Sequence, residues 1–229
     1  MVINKRFVLP FTVILSILFL GWGSVGHSII SLNTKLTLLP AVSFFNGWPE
    51  FLSLHASDAD NSRNYDASEK PKHYIDIDSY PEFLQTKTIP QNYDSLVAKY
   101  GYSFVIDQGL LPWAILNTAD SLEAAFKRND INKSKLFAAD LGHYIADAHM
   151  PLHLTKNYNG QLTGQYGVHF RYESDLIQKF ENQINYGGDS LKYIDNLPNF
   201  VFSMIYNNYN YVDSVLYVDK TSTISAGIN

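Results

Sequence analysis

Between residues 143 and 173 the chain carries two histidine–carboxylate pairs spaced four apart, His143 with Asp147 and His169 with Glu173. Four residues is just over one helical turn, so each pair lies on one face if its segment is an α-helix. Two such helices, turned towards each other, can bring both pairs onto one polar site. Four of the 7 histidines, His143, His149, His153 and His169, fall within 27 residues, where a uniform spread would put about one. The clustering marks this stretch as the place to look for chemistry.

The surrounding text reads as helix. Trp113, Leu116, Ala119, Leu122 and Phe126 recur at helical spacing, as do Phe137, Leu141, Tyr144 and Ala148 after a cap at Asn132 or Ser134. A third helix follows from Val168, Tyr172, Leu176 and Phe180, and a fourth from Val201, Met204, Ile205, Val212 and Val215 after Pro198. Pro40, Gly47 and Pro49 break the apolar text from Trp22 to Leu54 into two short helices. Residues 55–90, rich in Asp, Asn, Ser, Tyr and Pro, read as an ordered loop region. Alternating strand patterns are scarce. The expectation is an all-α fold, a mainly helical bundle with long loops at one end, a class that builds metal sites between facing helices.

The amino terminus has a different character. Lys5 and Arg6 precede an uncharged apolar run from Phe7 to Leu20, 14 residues, short for a bilayer span but suited to a secretory signal. The expected organisation is a signal peptide at 1–21 and one domain at 22–229, for which the 46% apolar content provides a core. A cut after Gly23 and an uncleaved anchor are the alternatives. Signal removal makes the protein secreted or periplasmic and leaves 15 Lys+Arg against 22 Asp+Glu. The acidic balance argues against holding duplex DNA by charge attraction, and mildly against any polyanionic substrate.

With no cysteine in the chain, any metal must be held by nitrogen and oxygen, and imidazole with carboxylate is the donor set that remains for first-row metals. Pro151 stops the second long helix, so His153 lies just beyond its end and can turn back over it. Upstream, His73 in KHYID and the carboxylates Asp58 and Asp60 in HASDAD sit in the loop region. His149, six positions from His143, points to another helix face and reads as a supporting residue or a structural histidine.

Taken in order, WGSVGH at 22–27, SDAD, KHYID, GHYIADAHMPLH and GVHFRYE resemble the superfamily of zinc-dependent phospholipase C and the single-strand-specific zinc nucleases, from Trp22 to about Phe180. The resemblance implies a bundle with long loops around a trinuclear zinc site. It implies that His73, His143, Asp147 and an upstream Asp hold a first zinc, and His153, His169 and Glu173 a second. A third falls to Trp22, through its freed amine and carbonyl, with His27 and Asp147. It also implies a metal-bridging hydroxide as nucleophile, oriented by the upstream acid. The phospholipase pattern puts that acid at Asp58, the reading preferred here, whereas the nuclease pattern Ala-Asp-x-x-Arg falls on Asp60 and Arg63.

The expected function is a zinc-dependent phosphodiesterase, favouring phospholipase C-type hydrolysis. Glu173 and the short stretch between His153 and His169 resemble the phospholipases. The Trp22–His27 step, Arg63, HYID and His149 resemble the nucleases, so an endonuclease on single-stranded DNA or RNA is the alternative. A non-catalytic exported zinc-binding module is the second alternative. The expected partners are phospholipid or single-stranded nucleic acid, and no protein partner is inferred. A peripheral membrane contact is expected if Phe44, Phe45, Trp48 and Phe51 form an interfacial rim rather than core.

Overall fold

The long amphipathic patterns all fold as helices, and no strand forms among the residues described by this computed structural model, which are 23–37, 40–187 and 191–225. The expected signal at 1–21 and Trp22 lie outside them. In chain order the helices are α1 (Ser24–Asn33), α2 (Trp48–His55), α3 (Asp58–Ser62), α4 (Pro81–Thr86), α5 (Tyr93–Tyr100), α6 (Tyr102–Asp107), α7 (Leu111–Lys127), α8 (Ile131–His149), α9 (Val168–Phe170), α10 (Leu176–Phe180), α11 (Leu197–Tyr209) and α12 (Val212–Ser225). The segment 55–90, expected as an ordered loop, is broken into α3, α4 and 3₁₀ turns at Lys70–His73 and Ile77–Ser79.

Local chemistry explains the boundaries. The α8 cap is Asp130 rather than Asn132 or Ser134, because the Asp130 carboxylate accepts a bond from the Lys133 amide, 3.1 Å away. Pro198 enters the first turn of α11 behind Asn196, which accepts from Asn199 N at 2.9 Å. The fourth expected helix divides in two at Asn210 and Tyr211. There the Asn208 side chain leaves its own helix to donate to the Ala148 carbonyl at the end of α8, 3.1 Å away. The third expected helix runs from Val168 to Phe180 but passes through a π turn at Arg171–Asp175.

Helices α7 and α8 form the central pair, with α11 laid across both, and α2 and α1 packed on the other side of α8. The main core lies where these meet the 75–115 segment. Phe202, Ile115, Leu111, Ile75, Ile77, Tyr80 and Phe83 are almost wholly buried there. Trp113 packs its ring against Phe202, centroids 5.7 Å apart, and donates its indole N–H to the Gln91 carbonyl at 2.8 Å. The aromatic group near the amino end packs as a satellite core. Trp48 stacks on Phe126 at 5.8 Å and is buried, while Phe44 beside it stays 56% exposed.

Residues 73–76 link this core to the polar histidines. They run alongside 153, with the Ile75 amide donating to the His153 carbonyl at 2.9 Å and His153 Nδ1 donating to the His73 carbonyl at 2.6 Å. On its other side the strip is held by Leu111 N to Tyr74 O, 3.1 Å, and Asp76 N to Gln108 O, 2.7 Å. Burial of Ile75 in the core thereby helps to fix where His73 and His153 stand. Because Phe202 fills the junction of α7, α8 and α11, Phe202→Ala should cost about 3–5 kcal/mol, read as a lower denaturant midpoint.

Candidate metal centre

His143 and Asp147 project from one face of α8 into the interior, each 1% exposed. The His143 ring is oriented by the Ala56 carbonyl, 2.7 Å from Nδ1. A carbonyl can only accept, so Nδ1 carries the hydrogen and Nε2 is left facing Asp147 Oδ2 at 3.3 Å. The same Oδ2 lies 3.0 Å from His73 Nδ1. Asp147 Oδ1 faces His27 Nε2 from α1 at 3.4 Å and His153 Nδ1 at 3.5 Å. Four imidazoles therefore surround one carboxylate. His27 also stacks on His143, ring centroids 3.9 Å apart.

A second carboxylate closes the other side. Glu173, in the π turn after α9, puts Oε2 2.8 Å from His169 Nε2 and Oε1 3.8 Å from both His27 Nε2 and His153 Nε2. The next residue, Ser174, accepts the Gly23 amide at 3.3 Å, which ties the start of α1 to this turn. Gly23 has φ 78°, and a Cβ there would stand 3.1 Å from Glu173 Oε1, so both the turn and the close approach call for glycine.

Of the sequence-expected ligands, His73, His143 and Asp147 form one group and His153, His169 and Glu173 another. His27 with Asp147 and Glu173 forms a third, and within each group the donor atoms lie within 4.8 Å of one another. Trp22 lies outside the described residues. Asp58 is the correction. It is half exposed and pairs with His55 Nδ1 at 2.7 Å, turned away from the cluster. Asp60, two residues on along α3, takes the inward position, with Oδ1 3.5 Å from His73 Nδ1, 3.7 Å from His143 Nε2 and 2.5 Å from Arg63 Nη2. His149, read as a supporting or a structural histidine, is exposed, with its Nδ1 bonded to the Ile145 carbonyl of its own helix, 2.8 Å away. Sequence reasoning missed Glu69, which is buried and reaches His73. It stands four residues before His73, the same spacing that marked the other pairs.

The donor set fits a divalent cation. His153 Nε2 and His169 Nδ1 are buried without a hydrogen-bond partner among the described residues. The carboxylate–imidazole separations around Asp147, 3.0 to 3.5 Å, bracket the roughly 3.3 Å expected between neighbouring tetrahedral ligands of zinc. The cluster opens onto a cleft of about 520 Å³, whose walls include Arg63, Lys70, Tyr74, Asp76, Tyr158 and Phe170. Burial, with the nearby Asp78 charge, pushes the Asp76 carboxyl up to about 7.

Comparison of the chain with protein-family models, with curated proteins and with solved structures finds no match in any of the three.

Carboxylates and imidazoles in the cluster hold each other's charge. Burial opposes ionisation of Asp147, yet His143 and His153 hold its carboxyl well below the usual range. Burial likewise opposes protonation of His143 and His153, but the neighbouring carboxylates lift both from 6.5 to about 9. Both histidines thus bind protons more tightly folded than unfolded. Their stabilising contribution is complete below pH 6.5 and is lost as pH rises towards 9. Chelator-treated protein should melt at a lower temperature at pH 9 than at pH 6.5. A melting temperature that stays level over that range contradicts this electrostatic picture.

Proposed function

We propose that the chain is a zinc-dependent phosphodiesterase acting on single-stranded nucleic acid. The observation that carries the substrate half is Asp60. Its carboxylate, rather than that of Asp58, reaches His73 and His143 and pairs with Arg63. Asp60 followed by Arg63 is the register of the nuclease pattern in the family the sequence resembles. The cleft supports the same reading, since Arg63 and Lys70 supply cations for phosphate while Tyr74, Tyr158 and Phe170 supply rings on which bases stack.

In this reading His73, His143, Asp147 and Asp60 would hold one zinc, and His153, His169 and Glu173 a second. His27 with Asp147 would hold a third, joined by Trp22 as the resemblance implies. Zinc, when bound, supplies a Lewis acid that lowers the pKa of its water towards roughly 7 and offsets charge on phosphoryl oxygens. The residues do the rest. Asp147 faces all the inner histidines at once and so sets the spacing of the cage. Ala56 and His73 carbonyls fix the ring orientations of His143 and His153. Arg63 pins Asp60 Oδ1, and Asp60 can accept a hydrogen bond from an attacking water and so aim its oxygen at phosphorus.

A phospholipid substrate is the second reading, carried by Glu173 and by the short 154–168 connection. That stretch is tightly knit, with Leu162 N donating to the Asn157 side chain at 2.8 Å and Gly167 N to the Asn159 side chain at 3.0 Å. Assay of one preparation on single-stranded DNA and on phosphatidylcholine, with and without chelator, separates the readings. Chelator-sensitive DNA cleavage is expected. Hydrolysis of lipid alone favours the phospholipase, and turnover of neither favours the non-catalytic module. In the same assay Asp60→Ala should lower kcat on the order of 100-fold. Asp58→Ala should stay within about threefold, as an exposed substitution does. The reverse ranking would restore Asp58 as the upstream acid.

A further inference from the structure

His73 presents its two ring nitrogens to opposite sides. Nδ1 faces the cluster, 2.9 Å from His143 Nε2 and 3.0 Å from Asp147 Oδ2. Nε2 is buried and has no formed hydrogen bond among the described residues. A carboxylate does lie on that side. Glu69 Oε1 is 3.5 Å from Nε2, at the outer limit of a hydrogen bond.

Glu69 is 6% exposed and gripped from two directions. Tyr144 donates its hydroxyl to Oε1, and Lys72 Nζ donates to Oε2 at 2.6 Å. Tyr144 follows His143 on α8, and its ring packs against both His73 and His143, centroids 5.5 and 5.8 Å away. A carboxylate needed only to pair with Lys72 would be more stable at the surface, where its hydration is kept. Burial behind His73 therefore calls for another cause, and the ring nitrogen in front of it supplies one.

We propose that Glu69 is a positioning residue for the metal centre, accepting the Nε2–H of His73 and so committing Nδ1 to the metal. The inference rests on the metal-centre reading above and extends it to a residue that touches neither metal nor substrate. A neutral imidazole carries one N–H, so an acceptor at Nε2 leaves the Nδ1 lone pair free on the Asp147 side. A carboxylate in that position also raises the basicity of the ligand nitrogen. Tyr144 holds the accepting oxygen in place, which makes the hydroxyl a second, weaker member of the same device.

Competition with a chromophoric chelator measures zinc affinity on the full chain. Glu69→Ala should weaken zinc at this site by about 10–100-fold. Glu69→Gln, whose amide oxygen still accepts, should recover most of the loss, and the metal-free melting temperature of Glu69→Gln should follow the parent. Nitrogen-15 spectra of the zinc-loaded parent protein should show His73 bound through Nδ1 with a protonated Nε2. Zinc affinity in Glu69→Ala within about twofold of the parent overturns the inference. So does a His73 bound through Nε2, a result that needs no variant to fold. A parent chain that binds no zinc overturns the metal-centre reading and this inference together, whereas parent binding with an unaffected Glu69→Ala overturns this inference alone.

Discussion

Asp147 is 1% exposed, and each of its oxygens faces two imidazole nitrogens. A carboxylate this deep costs several kcal/mol in lost hydration unless polar partners surround it. The protein meets that cost with His27, His73, His143 and His153, drawn from α1, the 70–73 turn, α8 and the turn after it. Each brings a separate piece of chain to the same point. Removing the carboxylate would leave those rings crowded together without the acceptor that spaces them. A divalent cation held here would compete with protons for the same nitrogens, which would link occupancy by metal to stability of the fold.

The supporting structure is built to hold directions rather than merely to bury residues. Backbone carbonyls of Ala56 and His73 orient His143 and His153, and the Ile75–His153 bond locks the strip that carries His73 to the turn that carries His153. The π turn at Arg171–Asp175 brings Glu173 to His169 while Ser174 meets Gly23. Such turns are uncommon and recur at functional sites. Arg171, at the start of that turn, pairs with Asp219 of α12 at 2.8 Å, so the far end of the chain braces the same segment.

Much of the cage was legible in the sequence, for a physical reason. Helix-borne ligands announce themselves through period, and the i, i+4 pairs His143–Asp147 and His169–Glu173 reach the cluster as their spacing implies. Ligands in turns carry no such period. Asp58 and Asp60 differ by two residues, and on the short helix α3 that rotation decides which faces inward, a choice set by the pairing of Asp60 with Arg63 and of Asp58 with His55. His149 looked like part of the histidine group yet folds back on the Ile145 carbonyl, because helix ends leave carbonyls in search of donors. The division of the last helix was illegible for a similar reason: Asn208 caps a different helix, and nothing in its own neighbourhood says so.

The central claim is that this cage exists to bind metal. A crystal of the protein grown with zinc, measured on both sides of the zinc absorption edge, tests it directly. Anomalous difference peaks are expected among His73, His143 and Asp147, and among His153, His169 and Glu173, with a further peak beside His27. Peaks only at surface histidines such as His149 or His55, or no peaks at all, would contradict it.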